Sequence, residues 1–279
     1  MGTEQDIEIQ PRPKHTSYSA VSSFTSCGEK YRLNKVVHAP EQGAWWSFGG
    51  TAVHSVTEKF DLADLTDDTD GFEDDIPSMF EVELEKAIAD RPTADLPFRA
   101  SKGQDKDWWL KNGPAMCERY ITWRRETGWQ LYTTPNGTPA IELKVQAEIG
   151  GLPILAYIDR AFVVGGASIV VTDIKTGSRA PSDVSQLGWY KVLLEQTLGI
   201  TVDAGCYWMA RKGEHTEPVP LDIYTPAYLE RIVAPFKIAR ETGAYVANPA
   251  STICGVCGYA YACFAKGGFA ADDFAPNAT

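Results

Sequence analysis

Between positions 141 and 149 apolar and polar residues alternate. Ile141, Leu143, Val145, Ala147 and Ile149 are separated by Glu142, Lys144, Gln146 and Glu148. A period of two places the apolar set on one face of a strand. Gly150-Gly151 predicts a turn, residues 152–164 a returning strand, Gly165-Gly166 a second turn, and residues 168–175 a third strand. The result is a meander with Gly-Gly connections.

Helical patterns surround it. Ser17-Tyr18-Ser19 opens a predicted helix to about Leu33, with Ser17 or Ser19 as N-cap. Gly49-Gly50-Thr51 leads into a second, from about Ala52 to Leu62. Residues 76–130 read as mostly helical, with breaks around Pro92–Pro97 and Gly113-Pro114. After the meander come a helix from about Pro181 to Leu198 and strands over Ile200–Arg211 and Val219–Tyr224. A last helix opens at Thr225-Pro226 and runs towards Val246, bent at Pro235. Residues 1–15 and 264–279 read as loose. This order predicts an α/β domain with a mixed sheet flanked by helices.

Composition changes little. Apolar residues make up 44% of 279 and charged residues 23%, ordinary for a globular chain. No apolar run reaches the ~20 residues of a membrane span, and the first residues lack the pattern of a signal peptide. A cytoplasmic setting is expected. The net charge of −11 argues against a wholly basic nucleic-acid-binding surface, but it is a global sum. Much of the excess lies in Asp61–Asp75, read as a solvated loop or helix end.

Candidate chemistry sits on the second and third strands. Asp159 lies mid-strand, and Asp173 and Lys175, two residues apart, share one face while Ile174 points into the core. If the strands pair, Asp159 lies beside Asp173. Neighbouring carboxylates repel unless a cation joins them, and oxygen ligands suit Mg²⁺ or Mn²⁺. Such an ion activates water and polarises phosphate, and Lys175 would orient that water or offset transition-state charge. His54, just after the Gly-Gly-Thr helix entry, is a further candidate ligand, and Glu58 follows one turn later. Gln186 and Tyr190, four apart on one helix, are candidates for contact with DNA. So are Trp45, Trp46, Trp108 and Trp109 by stacking, and Lys30, Arg32, Arg124, Arg125, Arg179 and Arg211 by phosphate contact.

Six cysteines are present. Cys254, Cys257 and Cys263 form a dense thiolate cluster, with Cys27 the natural fourth, whereas Cys117 and Cys206 fall inside core patterns. Four thiolates suit either Zn²⁺ or an iron–sulfur cluster.

In order and spacing these motifs resemble PD-(D/E)XK nucleases of the RecB-like branch, and most closely CRISPR-associated and phage-encoded iron–sulfur exonucleases. The resemblance runs from Tyr18-Ser19 and Cys27 through Gly50–His54, Asp159, Asp173–Thr176 and Gln186/Tyr190 to Cys254, Cys257 and Cys263. It departs from the family pattern at Ala156, often Gly, and at Gly28, often Pro. It implies a single nuclease domain over 1–279, with a cluster-binding module at about 17–35 plus 250–264. A helical lobe at about 52–130 and a nuclease core at about 140–225 complete it. It also implies His54, Asp159, Asp173 and the Ile174 carbonyl as metal ligands, Lys175 as the catalytic lysine, and a 4Fe-4S cluster on the four cysteines. The implied activity is metal-dependent exonuclease cleavage of single-stranded DNA ends, with endonuclease activity a further option. The setting would be phage or bacterial recombination, repair or CRISPR-like processing, as a homo-oligomer or with a recombination or helicase partner. A DNA-end-binding subunit or a metal-bearing scaffold without catalysis is the competing expectation.

Overall fold

The three alternating segments form the centre of the sheet. In the computed structural model, which describes residues 16–249 and 252–274, the chain begins with β1 (Thr16–Ser17), α1 (Tyr18–Ser26) and α2 (Gly28–Lys35). A helical lobe follows: α3 (Trp45–Asp64), α4 (Phe72–Ala89) and α5 (Lys106–Glu126). Then come β2 (Gln130–Leu131), β3 (Ile141–Ile149), β4 (Leu152–Val164) and β5 (Ser168–Lys175). Next are α6 (Ser185–Leu198), β6 (Ala204–Met209), β7 (Glu214–His215), β8 (Val219–Pro220) and α7 (Pro226–Thr242). This is the mixed α/β architecture expected.

Strand β4 is the organising element. Its first two-thirds pair antiparallel with β3, and its end pairs antiparallel with β5, from Arg160 opposite Thr172 to Val164 opposite Ser168. Strands β5 and β6 are parallel and joined through α6, as a crossover requires. Before Arg160, β4 and β5 diverge, and the short β1 takes the vacated edge, pairing parallel with Ile154 and Leu155. The sheet therefore forks beside Asp159.

Two apolar cores lie on either side. One joins the sheet to α6 and α7 through residues such as Val145, Ile158, Leu193 and Phe236. The other fills the helical lobe and takes in Ile174 and Trp208 from the sheet. A buried ionic network stitches the lobe to β4: Asp61 on α3 accepts from Arg160 Nε, from Arg124 Nε (2.8 Å) and from Tyr120 OH (2.6 Å). Asp61 is thus fully buried, and only the remainder of the acidic run behaves as the solvated stretch expected from sequence.

Several boundaries differ from expectation, each for a local reason. The first helix breaks at Cys27, which is extended at φ −165°, ends α1 and precedes α2. Helix α3 starts a full two turns earlier than Ala52, because Gly49 and Gly50 lie within it. A Cβ at Gly49 would come 2.1 Å from the Trp109 ring, so this glycine permits close packing rather than marking an entry. Helix α5 runs through Gly113-Pro114, where Gly113 is covered by the Phe80 ring. The predicted strand Val219–Tyr224 reduces to two residues, and α7 stops at Gly243 in the left-handed region, φ 72°. Residues 1–15, read as loose, lie outside the described residues. Of the 264–279 tail, 264–274 folds into short 3₁₀ turns and a carbonyl, Phe274 O, that accepts from Arg32 (2.6 Å). No helix among the described residues is long and apolar enough to cross a membrane.

Candidate active site

The fork between β4 and β5 sets the geometry. Had the strands continued to pair, Asp159 would face Asp173. Instead the Asp159 carboxylate occupies the gap, and its Oδ2 accepts the main-chain N–H of Ile174 at 2.9 Å. Both aspartates are buried, at 6% and 1% exposure. Alternation directs Ile174 into the helical-lobe core while Asp173 faces α6. There Gln186 Nε2 and Tyr190 OH both donate to Asp173 Oδ1, the tyrosine at 3.2 Å. Lys175 pairs with Asp173 Oδ2 and donates to Gln186 Oε1 at 2.8 Å.

From the other side α3 delivers His54. Its Nε2 lies 3.0 Å from the Ile174 carbonyl, and its Nδ1 lies 3.3 Å from Asp159 Oδ2. The structure therefore brings together every residue expected at this site: His54, Asp159, Asp173, the Ile174 carbonyl, Lys175, Gln186 and Tyr190.

Sequence reasoning missed Glu142. Read only as a polar position on β3, it adopts a left-handed backbone, φ 44°, rare for a non-glycine residue. This kink carries its carboxylate to within 3.7 Å of both His54 Nδ1 and Arg160 Nη1. His54, Glu142 and Asp159 bring ligand atoms within 4.8 Å of one another. The only trace in the sequence is Glu142 standing one residue from the start of the strand that covers Asp159 and Arg160.

The electrostatics are those of carboxylates crowded together out of water. Burial, with the Asp173 carboxylate next, pushes Asp159 up to about 7 against the opposing effect of His54. Burial disfavours the His54 imidazolium, yet Asp159, Glu142 and Asp173 outweigh it and raise His54 to about 9. Burial, then Asp173, raises the Tyr190 phenol well above its usual range. Glu142 Oε1 is buried and makes no hydrogen bond among the described residues, His54 Nδ1 and Arg160 Nη1 standing off at 3.7 Å. Three carboxylates thus face Lys175, a protonated His54 and an Arg160 shared with Asp61. Carboxylate oxygens crowded beside an imidazole that can give up its proton fit a divalent cation.

The thiols gather elsewhere. Cys27, Cys254, Cys257 and Cys263 line one cavity, with Lys30 and Leu33 among its other walls. Among the described residues no three of these Sγ atoms lie within 4.8 Å of one another. Burial raises the Cys257 and Cys263 thiols. Cys117 and Cys206 are buried in the core, as expected.

Most other proposed DNA contacts are otherwise engaged. Trp109 is fully buried, and Trp45, Trp46 and Trp108 pack against the same core. Arg32 is paired with Glu29, Arg124 with Asp61, and Arg125 with Glu73. Arg211 donates to Thr176 O and Gln104. Lys30 and the exposed Arg179 remain available.

A forked sheet whose divergence holds an Asp, an Asp-x-Lys strand end and a helical His defines a nuclease core. The sequence profile of the PD-(D/E)XK nuclease superfamily matches residues 15–264, and the chain belongs to that superfamily. It is 28% identical over 273 residues to the gene 69 protein of Mycobacterium phage D29, covering 88% of this chain and 95% of that one. The gene 69 protein of Mycobacterium phage L5 is 27% identical over 290 residues, with the same coverage. A solved structure from Eubacterium rectale, described as a candidate exonuclease, is 14% identical with a TM-score of 0.49, covering 91% of this chain and 94% of that one.

Proposed function

We propose that this chain is a phage-type, metal-dependent DNA exonuclease acting on single-stranded ends in recombination or repair within the host cytoplasm. The observation that carries the reading is the convergence of Asp159, Asp173, Lys175, His54 and the Ile174 carbonyl at the strand fork. Asp159, Asp173, His54 and the Ile174 carbonyl would hold Mg²⁺ or Mn²⁺, with Glu142 beside them. A cation there supplies Lewis acidity towards phosphate and lowers the pKa of a bound water.

The protein's own groups do the rest. Lys175 directs its ammonium towards the carboxylate edge, where it offsets negative charge building on phosphate and donates a hydrogen bond that orients the attacking water. Gln186 holds Lys175 through Oε1 and Asp173 through Nε2, fixing both. Arg160 donates to the Asp159 carbonyl and is anchored by Asp61, so the strand cannot shift under the charge of the site.

Cys27, Cys254, Cys257 and Cys263 would hold a four-iron cluster. Support comes from the cavity that all four line. The cluster's role is structural, tying the Cys27 corner to the 252–274 segment as one module. The chain's helical lobe and nuclease core complete the division.

The test is an assay on end-labelled single-stranded DNA in Mn²⁺, Mg²⁺ and EDTA, comparing wild type with Lys175→Ala. Metal-dependent shortening lost in EDTA and in Lys175→Ala supports the reading. Absence of cleavage by a folded, cluster-loaded wild type removes it.

A further inference from the structure

The fork that builds the site also opens a groove. Where β4 leaves β5, the space between β4, α1 and α6 is a trough of about 500 Å³, with Gln186 and Tyr190 at its inner end and Lys30 at its outer end. One wall is the serine face of α1, including Ser19, Ser22, Ser23 and Ser26. The opposite wall carries Tyr157, which is 52% exposed on a strand whose neighbours are buried.

Three features say what this trough takes. Among the described residues no carboxylate lines it, in a chain where acidic residues outnumber basic ones by 37 to 26. The trough's lining brings hydrogen-bond donors, among them the Ser22 hydroxyl and the Lys30 ammonium, to one wall. And the inner end is formed by the two side chains that hydrogen-bond Asp173, so anything in the trough points at the catalytic carboxylates. Short hydroxyls on a helix, a terminal ammonium and an exposed ring match a phosphate backbone and a stacking base.

We infer that the trough along α1 seats the single DNA strand leading to the scissile phosphate, with the α1 serines and Lys30 on its phosphates and Tyr157 against a base. This rests on the nuclease reading and adds the substrate path. Nine residues of α1 span about 13 Å, room for roughly four nucleotides at a stacked spacing of ~3.4 Å.

The test measures binding of a fluorescently labelled single-stranded 12-mer by anisotropy in EDTA, using the full cluster-loaded chain, with melting temperature as the fold control. Ser22→Glu and Tyr157→Ala alter opposite walls. Ser78→Glu adds the same charge on the exposed side of α4, outside the trough. The expected result is binding weakened about tenfold by Ser22→Glu and severalfold by Tyr157→Ala, with Ser78→Glu near wild type. Lys30→Gln is expected to make the dependence of log Kd on log salt shallower by ~0.7, the contribution of one phosphate contact to a single strand. Equal affinities for Ser22→Glu and Ser78→Glu, with an unchanged salt slope in Lys30→Gln, overturn the path. Wild-type cleavage alongside that result leaves the nuclease reading standing. No wild-type cleavage alongside selective loss of binding in Ser22→Glu leaves the path standing and removes the nuclease reading.

Discussion

Asp159 accepts a hydrogen bond from the main-chain N–H of Ile174, 2.9 Å away, at the position where β4 and β5 cease to pair. A side chain thereby replaces a strand neighbour. The same residue satisfies the backbone at the sheet's fork and presents a carboxylate to the site, and these two roles separate on substitution. Asp159→Asn keeps an oxygen for Ile174 but removes the charge. Melting in EDTA at pH 8 should show a variant at least as stable as wild type, while cleavage in Mn²⁺ falls by at least ~10²-fold. A variant both destabilised and fully active contradicts this.

The raised Asp159 carboxyl makes the metal-free protein sensitive to pH. Its folded value of about 7 exceeds its ordinary value of 3.8, so its contribution to stability is full below roughly pH 4 and is lost as pH rises through about 7. His54, raised to about 9, acts in the same direction. Melting in EDTA should therefore drop between pH 5 and pH 8, and Asp159→Asn should flatten the drop. Added Mn²⁺ should restore more stability at pH 8 than at pH 5, because protons compete for its ligands.

Glu142 holds a left-handed backbone beside two charged partners, His54 and Arg160. Conformations of this kind cost about 1–3 kcal/mol in a non-glycine residue, and glycine adopts them freely. Glu142→Gly should hold stability within ~1 kcal/mol by urea titration while Mn²⁺ affinity, read by calorimetry, falls about tenfold or more. Unchanged affinity would reduce Glu142 to a structural residue.

Asp61 carries no expected catalytic role, yet its removal should be severe. Asp61→Ala leaves Arg160 and Arg124 buried without their shared anion, a defect worth roughly 3–5 kcal/mol. The urea midpoint should move far down. A shift of less than ~1 kcal/mol means that water enters and rescues the arginines.

For the thiols, anaerobically purified wild type should contain about four iron atoms per chain, with visible colour lost in Cys254→Ser. Stoichiometric zinc without iron would reassign the site.

The meander and the shared face of Asp173 and Lys175 opposite Ile174 were legible because a period of two dictates faces and Gly-Gly dictates turns. The sequence spacing grouped Cys254, Cys257 and Cys263; the structure puts them with Cys27 around one cavity, with no three Sγ atoms within 4.8 Å among the described residues. Glu142 and Asp61 were not. Each looks like a solvent-facing charge in its own segment, and only tertiary contacts with β4 show otherwise. Gly49 was misread because a glycine permitting a tryptophan to approach leaves the same mark in sequence as one that opens a helix. The tryptophans and arginines were overcounted for a related reason: side chains able to touch DNA are equally able to complete a core or an ion pair.

The seating of α1 has a bearing on how the chain is made. The strand that leads into it, β1, pairs with Ile154–Leu155 on β4, which emerges from the ribosome well over a hundred residues later, and its helical neighbour α7 comes later still. At ~5–20 residues per second, the interval from α1 to Tyr190 on α6 is on the order of ten to thirty seconds. The walls that face the α1 serines, on β4 and α6, emerge only within that interval, so the strand-guiding trough closes after Asp159 and Asp173, the carboxylates it serves, have been translated.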